Sequence, residues 1–406
     1  MNLFMKKTSL FLLAILLICC KTSNVIGQSG KPIVFVLNAK VLDRNKTRIR
    51  NNDPGVITAY KQLIKDADKK AMEFEPVSVL EKTATPPSGD KHDYMSLAPY
   101  WWPDSSKAGG LPYIRKDGQT NPEVKDYKDK DNMPKLCENV YMLALAYYFS
   151  GNNSYAEHAA KLLRTWFLGP ATKMNPNMNF SQAVKGTNDG RGAGLIDSRH
   201  LIKLIDAIGL LKSSKSWKTE DQKGMQKWFA DFLNWMQTSK NGLDELDALN
   251  NHGAWYDAQR LSMALFIDSS DLAKKIILNT EHRLDTQIDK DGLFPAEMAR
   301  TISMHYTCFA MDAFFNIAHM AERTGIDFWN YTTPTGQSLK KSFEVLKPYL
   351  VQEKEWTGEQ IKEFDVEEGY DILMNAAEYF KCKDCAQAVQ KLAGDKGPRL
   401  RINLVY

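Results

Sequence analysis

Apolar residues recur at helical spacing in segment after segment of this chain: 54–74, 135–150, 154–168, 194–213, 219–239, 254–267, 270–284, 302–323, 335–350 and 357–380. Apart from a short extended stretch at Ile33 to Leu37, the pattern confines the protein to an all-α architecture. The joints between segments are short and polar. Gly151-Asn152-Asn153-Ser154 reads as a hairpin turn in which Gly stops one helix and Ser154 caps the next, and Asp268-Ser269-Ser270 repeats the arrangement. Helix pairs whose inner members are apolar on nearly every face fit an α/α toroid or an α-solenoid. No fixed-period sequence repeat accompanies them, which favours the toroid, an incomplete barrel of helical hairpins with long loops at one mouth.

Three stretches interrupt the helical period, residues 88–134, 169–193 and 285–305, and they are rich in Trp, Tyr, Asn, Arg and His. Long connections without secondary structure in a compact domain are usually functional loops. In a toroid they gather at one mouth of the barrel. The chain carries 16 Tyr, 18 Phe and 9 Trp, a surplus over packing needs that hints at a groove for sugars or other flat ligands.

Residues 1–27 have the form of an export signal, with Lys6 and Lys7 ahead of an apolar run from Leu10 to Ile18 that is too short to span a membrane. Val25-Ile26-Gly27 is a small-residue cleavage pattern. Leu16-Leu17-Ile18 before Cys19 and Cys20 is an imperfect lipobox, so release to the periplasm or medium is favoured, with lipid anchoring as the alternative. Residues 28–406 contain no linker, low-complexity block or long charge run and read as one domain.

Removing the signal takes Lys6, Lys7 and Lys21 and no acidic residue, so 53 Lys and Arg against 49 Asp and Glu become 50 against 49. No global field recruits a polyanion, nucleic-acid binding has no compositional support, and an acidic substrate must meet a locally basic cleft. Of the four remaining cysteines, Cys382 and Cys385 can close a small disulfide between two helices, while Cys137 and Cys308 sit in apolar runs as buried thiols.

Metal and cofactor signals are weak. Asp289-Lys290-Asp291-Gly292 lacks the oxygen ligands of a calcium loop and reads as an Asp-Gly turn. Asp126, Asp129 and Asp131 alternate with lysines as a solvated face, and none of the seven histidines has metal-pair spacing. Gly186, Asn188, Gly190, Arg191, Gly192 and Gly194 form a flexible polar loop able to present donors to an anionic sugar. No strand precedes them in dinucleotide-fingerprint register.

Lys91-His92-Asp93-Tyr94-Met95-Ser96-Leu97-Ala98-Pro99-Tyr100-Trp101-Trp102-Pro103-Asp104 is the most distinctive segment. Three consecutive aromatics between prolines cannot all face a core, so a ring is left to stack on a sugar, or else the rings plug the loop down. The segment closely resembles a signature of the alginate lyase domain family of polysaccharide lyases. Matching motifs follow in order: Thr172 to Asn177, Gly190 to Asp197, Asn250-Asn251-His252-Gly253, and Asp291-Gly292-Leu293-Phe294-Pro295 leading to Glu297 and Arg300. The resemblance spans roughly residues 85 to 325.

Read alone, Asn251 and His252 are a helix cap and a satisfied core histidine, and Arg300 and Tyr306 a capping Arg and a core Tyr. The resemblance instead implies a catalytic set of Asn251, His252, Arg300 and Tyr306. Tyr100, Trp101, Trp102, Gln182, Asn188, Arg191, Tyr256 and His305 become candidate substrate contacts. Within one helix Arg300 and Tyr306 would lie about 120° apart, so they converge only if Arg300 precedes the first turn.

These residue types suit β-elimination from a uronate. Neutralising the carboxylate lets charge from C5 deprotonation delocalise, a base takes that proton, and an acid protonates the departing C4 oxygen. The expected activity is therefore that of an exported lyase on alginate or a related polyuronate, with no cofactor. Two alternatives remain at this stage: a hydrolase using Asp291 and Glu297 as acid and base, or a non-catalytic glycan-binding lipoprotein. Mannuronate or guluronate preference, endo or exo attack, glucuronan as substrate and oligomeric state are not written in these motifs.

Overall fold

The computed structural model describes residues 31–406; the export signal expected at 1–27 lies outside the described residues. Helices α1 (Ala39–Arg50) and α2 (Pro54–Asp66) open the described chain. Asn38 caps α1 and Asp53 caps α2, each side chain accepting backbone N–H groups of the first turn. Next come α3 (Lys128–Ser150), α4 (Asn153–Leu163), α5 (Leu201–Leu211), α6 (Thr219–Thr238), α7 (Lys240–Leu246), α8 (Asn251–Phe266) and α9 (Ser270–Gln287). The short α10 (Pro295–Met298) leads to α11 (Ser303–Ala321), α12 (Leu339–Leu350), α13 (Tyr370–Tyr379), α14 (Cys385–Ala393) and α15 (Ile402–Val405).

The α/α toroid follows from which helices are buried all round. In α5 and α8 nearly every residue is buried; His252 is the sole residue of α8 that is not. Such helices must be enclosed by others. Helices α3, α5, α8, α11 and α13 form the inner ring, each touching the next, while α4, α6, α9, α12 and α14 pack outside them. Edge-to-face contacts of Trp228 with Phe167 and of Phe229 with Phe266 of α8, at centroid distances of 4.8 and 5.2 Å, lock α6 against its neighbours. Helix α15 docks on α1 and α2, where Asn45 Nδ2 donates to the carbonyls of Leu404 and Tyr406.

Several local expectations change. The stretch Ile33 to Leu37 pairs with no strand among the described residues: the N–H groups of Phe35, Val36 and Leu37 all donate to the Asp206 carboxylate. Asn152, not Ser154, caps α4, accepting the Ser154 N–H, while Gly151 at φ 75° ends α3. The segment 357–380 becomes helical only from residue 366 onward. Asp129 is not on a solvated face. It is fully buried against Lys82 (Nζ to Oδ2 2.9 Å), and its carboxylate also accepts the Met95 N–H, which pins the chain before the aromatic segment to α3. Asp289 accepts N–H groups from Asp291 and Leu293 with Gly292 at φ 88°, an Asp-Gly turn.

Cys382 and Cys385 form a disulfide between α13 and α14, and Cys137 and Cys308 are buried free thiols. Among the described residues, no helix is long and apolar enough to cross a membrane.

The interrupting stretches hold the strands. β1 (Met95–Leu97) pairs in parallel with β4 (Phe180–Ala183), and β2 (Trp101–Trp102) pairs antiparallel with β3 (Ile114–Arg115). The Gln182 N–H donates to Ser96 Oγ across the first pair, tying two loops 86 residues apart into one wall of the mouth.

Candidate active site

At the loop-bearing mouth lies a cleft of about 540 Å³ whose walls include Tyr100, Trp101, Gln182, Arg191, Asn251, His252, Arg300, His305 and Tyr306. Five Lys and Arg side chains line it against two carboxylates, so the near-neutral chain concentrates positive charge here.

Asn250 is the cap of α8, its side chain accepting the His252 N–H, so Asn251 and His252 are the first two residues of the helix rather than residues ahead of it. Asn251 is clamped by the buried Glu297: its N–H donates to Oε1 (2.6 Å) and its Nδ2 to Oε2 (2.8 Å). Burial raises the Glu297 carboxyl above its usual range against the pull of these bonds. Asn251 Oδ1 is buried without a protein partner. His252 Nδ1 lies 3.0 Å from Glu245 Oε2, a carboxylate on α7.

Arg300 precedes α11 by three residues, which frees it from helical geometry and allows its guanidinium to lie 3.6 Å from the centroid of the Tyr306 ring. Its Nε and Nη2 donate to Asp117, at 3.0 Å to Oδ2 and 2.7 Å to Oδ1, and Thr301 adds its N–H and hydroxyl to the same carboxylate. Although burial opposes it, the Arg300 bonds hold the Asp117 carboxyl well below the usual carboxylate range. Tyr306 donates its hydroxyl to Tyr100 Oη at 2.9 Å. Burial, reinforced by Tyr100, pushes the Tyr306 phenol far above its ordinary value and outweighs the opposite pull of Arg300.

Two-residue alternation in β2 separates the aromatic triplet. Trp101 faces the cleft under the Arg191 guanidinium (5.8 Å), whereas Trp102 turns away and donates its indole N–H to the Gln119 carbonyl. Gln182 sits at φ 48°, donating to Asp197 Oδ1 and accepting from Arg191 Nη2. His305 lines the cleft with Nδ1 2.6 Å from Glu368.

Three candidates fall elsewhere. Trp102 is excluded by the alternation just described. Asn188 closes a turn, its Oδ1 accepting the Val184 N–H. Tyr256 points outward from α8 and donates to the Met236 carbonyl in the core. The loop around Arg191 is also not flexible: a Cβ on Gly190 would lie 2.0 Å from the Asn179 oxygen, and one on Gly194 2.1 Å from Ser181 Oγ, so these glycines serve close packing. For the hydrolase alternative, Asp291 is exposed on the α9–α10 turn and Glu297 is sealed behind Asn251, so the two carboxylates do not face the cleft together.

Sequence reasoning missed Arg115, Lys130, Arg199, His200 and Glu245 in the cleft wall, and Asp117 behind Arg300. Arg199 stacks on Phe309 at 5.2 Å, as Arg191 does on Trp101. Burial lowers the His200 imidazole to about 3, so it is neutral at physiological pH. Arg199 and His200 follow the Gly190 to Asp197 motif after one residue, Ser198, which was the available signal.

A family model described as alginate lyase matches residues 78–356. The chain is similar to an alginate lyase from Bacteroides ovatus, 39% identical, with 92% of this chain and 99% of that one covered at a TM-score of 0.87. Alginate lyase A1-III from Sphingomonas species A1 is 17% identical, covers 82% of this chain and 90% of its own, and has a TM-score of 0.51, a likeness of fold alone. A variant of A1-III complexed with tetrasaccharide gives 16% identity, 87% and 95% coverage and a TM-score of 0.51. No curated protein matches the chain.

Proposed function

The chain belongs to the alginate lyase family, and from that premise we propose that it is an exported lyase cleaving alginate or a closely related polyuronate by β-elimination. The observation that carries the reading is the convergence of Asn251, His252, Arg300 and Tyr306 on one basic cleft of about 540 Å³.

In this mechanism the uronate carboxylate meets Arg300, whose Nη1 remains outside the Asp117 pair, and the second N–H of Asn251 Nδ2, whose first is held by Glu297. Charge neutralised there lets electrons from the C5–H bond delocalise toward the carboxylate as that proton leaves. The C4–O bond then breaks, C4 and C5 become doubly bonded, and the leaving oxygen takes a proton. Tyr306 is protonated at neutral pH because its phenol is pushed upward, which suits it to the acid role. His252 serves as base where the C5 proton lies on the face opposite the leaving group. Trp101 stacks on a neighbouring sugar while Arg191, Gln182, Tyr100 and His305 bind its polar edges.

Export is supported by the Cys382–Cys385 disulfide, a bond typical of oxidising compartments. The experiment is product analysis on a panel of polyuronates. A lyase generates an unsaturated, ultraviolet-absorbing end at each cut. Saturated reducing ends alone would establish a hydrolase, and the absence of products a binding protein.

A further inference from the structure

We propose that Glu245 is a positioning residue that fixes the His252 ring in the tautomer protonated at Nδ1, leaving the Nε2 lone pair open to the cleft. This rests on the reading of His252 as a base.

Three observations converge. First, Glu245 Oε2 lies 3.0 Å from His252 Nδ1, and it is the side-chain atom that hydrogen-bonds the ring among the described residues. A carboxylate only accepts, so Nδ1 must carry the proton, and in the neutral ring Nε2 must then be bare. Second, the Glu245 side chain is 6% exposed and that of His252 21%, so the carboxylate is the inner member and the imidazole the outer one, lining the cleft. Third, the carboxylate stands on a stiff support. Helix α7 is capped by Ser239, wedged against α8 and the 192–200 segment, and so close to α6 that a Cβ on Gly242 would lie 1.8 Å from the Met236 oxygen.

A purely structural role for Glu245 would serve Arg191, a cation it attracts. Arg191 is held independently by both oxygens of Gln182. Among the described residues the imidazole has no second anchor of that kind. A histidine free to rotate and to exchange tautomers would present a lone pair to the C5 proton only part of the time, which lowers the rate of the chemical step without changing how the polymer binds.

The test combines kinetics with nitrogen NMR of the histidine ring in the full chain. Glu245→Ala is expected to lower kcat about tenfold or more, with KM within about twofold, on those linkages that His252→Ala also loses. Neutral wild-type enzyme is expected to show a protonated Nδ1 and a bare Nε2, a pattern lost in Glu245→Ala. Glu245→Gln, whose Oε1 can still accept from Nδ1, should restore part of both signals. A protonated Nε2 in the wild type, or wild-type kcat in folded Glu245→Ala, overturns the proposal. If the Ala variant does not fold, the wild-type spectrum and the Gln variant decide. Full turnover of His252→Ala on every polymer would remove the base itself; loss in His252→Ala beside normal turnover in Glu245→Ala would remove only the positioning role.

Discussion

Replacing Asp117 by Ala removes the acceptor for Arg300 Nε and Nη2 and for the N–H and hydroxyl of Thr301. Breaking a fully buried ion pair from one side costs about 3–5 kcal/mol because the remaining charge is stranded. Here the side chains are 14% and 18% exposed, so water reaches the freed guanidinium in part and the expected loss is about 2–3 kcal/mol. The guanidinium keeps its place over the Tyr306 ring, worth roughly 1 kcal/mol, so it is loosened rather than released. On kcat this predicts a fall of about 10- to 100-fold, or about 1.4–2.7 kcal/mol. Urea unfolding with an unchanged slope measures the first quantity, and the rate of ultraviolet absorbance increase at saturating polymer the second. The sign with pH also follows. Asp117 titrates below its unfolded value, so its stabilisation is complete above about pH 4 and drains away as acid protonates it. The gap between wild type and Asp117→Ala should therefore narrow in strong acid. A loss under about 0.5 kcal/mol together with kcat within twofold of wild type would refute the argument.

Tyr306→Phe, which keeps the packing and loses the hydroxyl donated to Tyr100, should reduce cleavage of every linkage by about 100-fold or more; activity within about tenfold of wild type on mannuronate-rich or guluronate-rich polymer would remove the acid role. Trp101→Ala should raise KM for polymer several-fold with kcat little changed, since a stacking ring contacts ground state and transition state alike, while Trp102→Ala should alter thermal stability and leave KM alone. Asp129→Ala strands the buried Lys82 ammonium and should cost about 3–5 kcal/mol in denaturant unfolding, far more than Asp131→Ala at the surface.

The helical ring was legible because α5 and α11 are apolar on almost every face, and only enclosed helices can be. Asn251, His252, Arg300 and Tyr306 could be picked out through long ordered motifs, not through their local chemistry, where each has a plainer structural reading. Residues that act through others stayed hidden. Asp117 is 183 positions from Arg300, and nothing in the pattern around it marks a partner so distant. Lys82 and Asp129 look like ordinary surface charges because their burial depends on how an irregular loop folds back onto α3. Tyr256 and Asn188 were misplaced for the opposite reason: polar side chains near a motif were assumed to face the ligand, whereas each satisfies a backbone group of its own surroundings.

His252 lies in the first turn of α8, and Tyr306 four residues into α11, so two inner helices direct their amino-terminal ends at the same cleft. Aligned peptide dipoles place roughly half a positive charge at each such end, offset in part at α8 by the Glu297 carboxylate that accepts the Asn251 N–H. The peptide dipoles themselves belong to the backbone, so they neither titrate nor disappear when a side chain is replaced. With these dipoles and the four other cleft cations in place, Arg191→Ala should still prefer an acidic polymer over a neutral one. What it loses is the sharp aim of the charge rather than its sign.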